Sequence, residues 1–72
     1  MKLNYYKDTD SLYIDLSSKQ SVETEEISDG VAIDYDSNGH IVGIDIDNAS
    51  KKINMQEIVL SKLPTQKEIM IA

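Results

Sequence analysis

The sequence predicts an α+β domain: an antiparallel β-meander of four to five strands with one C-terminal helix packed on one face. Three observations predict it. Apolar residues alternate at period two through the first 47 residues. Asn38-Gly39 stands between two of these alternating runs, where a tight hairpin turn would form. After Asp47 the period changes and helix-capping residues appear. A chain of 72 residues supports one small core, so we expect a single domain over residues 1–63 and a tail over 64–72.

The elements follow in order. In LNYY, Leu3 and Tyr5 share a face; in SLYIDLS, Leu12, Ile14 and Leu16 share one, with Tyr13 and Asp15 opposite. The polar stretch KDTD between them makes a hairpin, and a loop centred on Asp8-Thr9 pairs Tyr5 with Leu12 and Leu3 with Ile14. In QSVETEEIS, Val22 and Ile27 have opposite parity, so a regular strand cannot bury both. The three intervening glutamates, Glu23, Glu25 and Glu26, fit an edge strand with a bulge, where charge discourages association. Asp29-Gly30 makes the next turn.

GVAIDYD and HIVGIDID then form the best-defined hairpin. A two-residue turn at Asn38-Gly39 pairs Ser37 with His40, Tyr35 with Val42, Ile33 with Ile44 and Val31 with Ile46. On the reverse face Asp34 meets Gly43 and Ala32 meets Asp45, so no two carboxylates are directly opposed. Further on, Asn54 reads as a helix N-cap with Glu57 completing a capping box, and Ile53 with Ile58 as a hydrophobic staple. Met55, Ile58, Val59 and Leu63 give the apolar stripe, and Pro64 ends the helix. The preceding NASKK is read as a turn or a short helical stretch of its own.

Charge is uneven. The net charge is −6, but residues 1–47 hold eleven acids against three lysines, a balance of −8, while residues 48–72 stand at +2. Such a body lacks the basic footprint that nucleic-acid binding requires, and it favours cations or a basic protein partner. There is no cysteine, hence no disulfide or thiolate metal site. With no apolar run at the N-terminus and no membrane-length segment, the expected location is cytoplasmic and no membrane contact is expected.

Residues 34–45, DYDSNGHIVGID, also match the spacing of a calcium loop, with oxygens at positions one, three, five and twelve and Gly39 at six. The flanks alternate at period two instead of forming helices, and Asp45 lies too far along the strand to join the tip. What remains of this reading is a weak cation contact at Asp34, Asp36 and Asn38. No cofactor is expected. Catalysis is not expected either: His40 is the only histidine and sits at a turn, and the three glycines are dispersed at 30, 39 and 43. Tyr6 and Tyr13, on the polar face, join Glu23, Glu25 and Glu26 as a candidate interaction surface.

The ordered string YYKDTDSLYIDLS … ETEEISDGVAIDYDSNGHIVGIDIDNASKKI resembles the small bacterial family called domain of unknown function 2283. The resemblance runs from Tyr5 to Ile53 and is carried by Asp10, Leu12, Tyr13, Gly30, Asp34, Asp36, Gly39, Gly43, Ala49 and Ser50. It implies a single small α+β domain and assigns no catalytic or metal residue. Some members sit beside genes for small proteins that look like toxin nucleases, which implies an antitoxin-like partner of a basic protein. So small a core also gains from a second copy, and a homodimer through an edge strand or the apolar tail is expected.

Overall fold

The computed structural model describes residues 1–57, 59–61 and 64. Five strands form one antiparallel sheet: β1 (Lys2–Tyr6), β2 (Ser11–Asp15), β3 (Glu23–Ser28), β4 (Val31–Tyr35) and β5 (Ile41–Ile46). One short helix, α1 (Ala49–Lys52), follows. The α+β architecture is therefore as the sequence predicts. The strand order is β1-β2-β5-β4-β3, which joins a hairpin to a three-strand meander through the β2–β5 seam and leaves β1 and β3 at the edges.

Registers explain why these residues form these strands. Tyr5 pairs with Leu12 and Leu3 with Ile14, as alternation predicts. Across the seam Leu12 meets Ile46 and Ile14 meets Ile44; beyond it Ile44 meets Ile33 and Ile46 meets Val31. One face thus carries an unbroken apolar band across four strands, whose burial is the main driving force for the sheet. Leu12 and Val42 are its most buried members, 2% and 3% exposed. The expected edge strand with a bulge is present: β3 lies outermost, all its residues are exposed, and its register to β4 shifts between Glu26 and Ser28.

Two expectations need correction. The β4–β5 turn is not a two-residue turn, and Ser37 does not pair with His40. Asp36 closes on His40 through a backbone hydrogen bond of 2.9 Å, and the Gly39 amide donates to the Asp36 carbonyl at 3.1 Å. The loop therefore spans three residues, with Gly39 at φ +81° and Asn38 outside the positive-φ region that a two-residue turn of the usual kind demands of both its central residues. Tyr35 consequently pairs with Ile41, not Val42. A register shift beyond Tyr35 absorbs the extra residue, and the expected pairs Asp34–Gly43, Ile33–Ile44, Ala32–Asp45 and Val31–Ile46 all stand.

The helix is also displaced. It occupies residues 49–52, within the NASKK stretch, and not the segment after Asn54. The Asn54 side chain does accept the Gln56 amide at 3.0 Å, but Met55 and Gln56 form only a turn, and Glu57 and residues 59–61 are not helical. A local cap by itself does not overcome the cost of nucleating a helix. The expected stripe members Ile58 and Leu63, with Lys62 and the tail beyond Pro64, lie outside the described residues.

Candidate functional site

Three side-chain bridges organise the polar groups; the first begins on a strand, the other two in the turns that join strands. The first crosses the sheet. Tyr13 on β2 leans over Gly43 of β5, where a Cβ would overlap the tyrosine ring and hydroxyl. Its hydroxyl donates to Asp34 Oδ2 on β4 at 2.7 Å, and Thr24 of β3 donates to the other oxygen of the same carboxylate. β2 and β3 are thus both tied to Asp34 of β4, over a glycine that leaves room for the ring. The hydrogen bond to Asp34, then burial and the surrounding carboxylate charges, push the Tyr13 hydroxyl up to about 12.

The second bridge starts in the β1–β2 turn. Asp10, at φ +54°, accepts the Tyr5 hydroxyl at 2.7 Å, the Ser50 amide at 3.1 Å and the Ser50 hydroxyl at 2.7 Å. Its backbone carbonyl takes the Ala49 amide at 2.8 Å. Asn48, the residue before α1, offers no side-chain cap, so Asp10 satisfies the first helical amides from 40 residues away. Ala49 is fully buried beneath this contact. The Ser50 and Tyr5 hydroxyls hold the Asp10 carboxyl below its ordinary value. On the other side of α1, Lys52 Nζ donates to the Asp29 carbonyl at 2.8 Å beside Gly30, which has φ +73°.

The third bridge is local. Asp36 is 8% exposed, and its Oδ1 accepts the amides of Asn38 and His40, each at 2.9 Å. Those bonds, led by the one from His40, lower its carboxyl. The His40 ring lies 3.7 Å away and is itself 78% exposed.

These contacts place the residues singled out by sequence. Asp34, Asp36 and Asn38 do not converge: the Asp34 oxygens serve Tyr13 and Thr24, and an Asp36 oxygen serves its own turn. Among the described residues no three His, Asp or Glu side chains are grouped to hold a metal ion. Tyr6 and Tyr13 share the polar face, but they differ in environment. Tyr6 is 55% exposed on the β1 edge, while Tyr13 is part-buried and engaged. Glu23, Glu25 and Glu26 all lie exposed on the β3 edge. Glu23 and Glu25 stand opposite Tyr35 and Ile33 on the apolar side, and Glu26 stands opposite Ala32 on the polar side.

That polar side gathers charge. Asp15 and Asp34 both pair with Gly43 from opposite flanks, and Asp45 is the neighbour of Tyr13 and Ala32. Burial, then the Asp47 and Asp34 charges, raise the Asp45 carboxyl. An open concavity of about 290 Å³ lies at the strand ends between Met1, Lys2, Asp15, Leu16, Ser17 and Ser18. Sequence reading missed the Asp10–Ser50 and Tyr13–Asp34 bridges. The one available signal was that Asp10, Tyr13, Gly43 and Ser50 all carry the family resemblance.

Comparison with known proteins agrees with that resemblance. The model of a family described as "Protein of unknown function (DUF2283)" matches residues 2–50. The uncharacterized protein MJ0789 of Methanocaldococcus jannaschii is 37% identical over 62 residues, which cover 86% of this chain and 53% of that protein. The chain therefore spans about half the length of that relative. No solved structure matches. No helix among the described residues is long and apolar enough to cross a membrane.

Proposed function

For a chain that belongs to the DUF2283 family of proteins of unknown function, we propose a non-enzymatic role as an acidic protein-interaction module that receives a basic protein. An antitoxin-like grip on a basic toxin is the specific form this reading takes, and a cytoplasmic location goes with it. The observation that carries it is β3. An edge strand displays unpaired backbone groups, and here six consecutive exposed residues carry three glutamates and no lysine. The carboxylates of Asp15, Asp34 and Asp45 extend the same sign of charge across the adjoining polar face.

Such a surface steers a basic partner by long-range attraction and sets specificity by charge complementarity. The bridges described above support this reading indirectly. They engage Asp10, Asp34 and Asp36 in holding the fold, whereas the β3 glutamates, like Asp15 and Asp45, make no hydrogen bond or ion pair among the described side-chain contacts.

Affinity capture from the native host at low salt tests the proposal. A small basic protein should be retained, and it should elute as ionic strength rises and the Debye length shortens. A Glu23→Gln, Glu25→Gln, Glu26→Gln chain should retain much less of it. Retention of nothing basic, or equal retention by the triple variant, defeats the proposal.

A further inference from the structure

The two edges of the sheet are chemically unlike. β3 carries three acids in six residues and is bulged; β1 reads KLNYY, with no acid at all in a chain of net charge −6. Tyr5 and Tyr6 on β1 are 44% and 55% exposed. An aromatic, weakly charged edge is what proteins ordinarily guard against, and β1 carries a single lysine, Lys2, and no register shift against β2.

We propose that β1 pairs antiparallel with β1 of a second copy of this chain, about a two-fold axis at Asn4, so that the two sheets become one. A two-fold contact must be complementary to itself. With the axis at Asn4, Leu3 falls opposite Tyr5 of the second copy on the apolar side. Lys2 falls opposite Tyr6 of the second copy on the polar side, where an ammonium meets an aromatic face. Asn4 meets its own equivalent, and two amides can hydrogen-bond each other. Within β1 no like charges are opposed, and both exposed tyrosines gain an apolar or cationic neighbour.

The same operation fails on the other edge. Centred on Thr24, it sets Glu23 against Glu25; centred on Glu25 or on Glu26, it sets a glutamate against itself. The charge pattern therefore selects β1 for the second copy and leaves β3 free. The apolar band gains as well, because Leu3 and Tyr5 continue it from Leu12 and Ile14 across the new seam. This inference stands without the basic partner of the preceding proposal, since the two use opposite edges.

A disulfide reads the register directly, because the chain has no cysteine. Directly opposed residues of an antiparallel pair have Cα atoms about 4.5–5.5 Å apart, within the roughly 4.4–6.8 Å that a disulfide spans. Asn4→Cys should form a covalent dimer under mild oxidation, and Thr24→Cys on the other edge should stay monomeric. Sedimentation equilibrium of the unmodified chain should show the mass approaching twice that of one chain over a roughly hundredfold rise in concentration. Lys2→Glu with Tyr6→Glu sets carboxylates opposite each other twice and should weaken dimerisation by about tenfold or more, with circular dichroism showing the fold retained. A monomer at every concentration overturns the proposal. So does cross-linking no faster at Asn4→Cys than at Thr24→Cys, or undiminished dimerisation of the folded double variant.

Discussion

The β1 edge and the β3 edge belong to one sheet and are built from strands of nearly equal length, yet they solve the problem of exposed backbone in opposite ways. β3 is guarded by Glu23, Glu25 and Glu26 and by a bulge, at the cost of packing almost nothing: every residue in it is exposed. β1 is packed on one side, with Leu3 half-buried and the Tyr5 hydroxyl held by Asp10, but its outer side carries only Lys2 as charge. The difference teaches that edge chemistry here is written in composition, while the coupling of the edges to the core is written in side-chain bridges. Tyr13, Asp34 and Thr24 connect β3 to the centre; Asp10, Tyr5 and Ser50 connect the β1 side to α1.

The largest effect should come from breaking what both edges share. Gly43→Ala places a methyl where the Tyr13 ring and hydroxyl lie, so either the ring or the β5 backbone must shift. Overpacking of this kind costs about 1–3 kcal/mol, and here the Tyr13–Asp34 bond is lost with it. Denaturant midpoints should fall accordingly, and amide exchange should quicken in β2 and β4 alike. A midpoint equal to that of the unmodified chain would show that the ring has an alternative seat and that the bridge does not hold the halves together.

Asp10→Asn should separate the two sides, because it acts on the β1 side alone. Asparagine tolerates the φ of +54°, so the change removes charge and acceptors without straining the backbone. Exchange at Ala49 and Ser50 should quicken strongly, while β3 and β4 amides keep their protection. The pH dependence carries a sign. The folded Asp10 carboxyl titrates below its ordinary value, so its contribution is complete above that ordinary value. It is lost as pH falls through the lowered folded one. Asp36 behaves in the same way at the β4–β5 turn. Asp45, raised by burial and by its acidic neighbours, works in the opposite sense. The acid limb of the stability curve should therefore flatten in Asp10→Asn without vanishing.

This latch also marks where sequence reading stopped. Period-two alternation made the strands legible, because one apolar face constrains every residue of a strand; Leu3–Ile14, Tyr5–Leu12 and Ile33–Ile44 follow from it. The glutamate-rich edge and its bulge were legible for the same reason, since Val22 and Ile27 broke the parity. Asn38-Gly39 announced a turn but not its length: one residue more in the loop is offset by one register shift at Tyr35, and both arrangements leave the same distant pairs. The helix could not be located from its own residues. Its N-terminal acceptor is Asp10, and nothing local to residues 48–52 reveals it, whereas Asn54 advertised a cap that closes only a turn at Met55 and Gln56. Of the candidate surface, the three glutamates and Tyr6 lie exposed. The engagement of Tyr13 depended on a diagonal reach over Gly43 that pairing rules alone do not supply.

Tyr13→Phe tests the central bridge more gently. The ring still fills the space above Gly43, and Asp34 keeps Thr24, so only one hydrogen bond is lost, about 1 kcal/mol. The folded hydroxyl titrates near 12 against an ordinary value of 10. Its contribution is thus whole below pH 10 and disappears as pH rises from 10 to about 12. Melting temperatures of the two chains should differ at neutral pH and converge across that window. Parallel curves throughout would locate the stabilisation elsewhere than in the hydroxyl.

The smallest effect on stability, and the sharpest on the comparison, belongs to Glu25→Thr with Glu26→Thr. Both positions are exposed, so folding stability should move by no more than about 0.5 kcal/mol in either direction. What changes is the edge. Threonine favours strands and removes two of the three charges that bar β3 from self-pairing, so the second edge becomes as permissive as the first. A chain with one permissive edge closes as a dimer; a chain with two can continue the sheet without limit. Light scattering should then show mass growing past the dimer with concentration, and adding Lys2→Glu with Tyr6→Glu should halt that growth by closing β1. If the double threonine variant stays at the mass of the unmodified chain, the glutamates are not what guards β3, and the bulge between Glu26 and Ser28 is sufficient by itself.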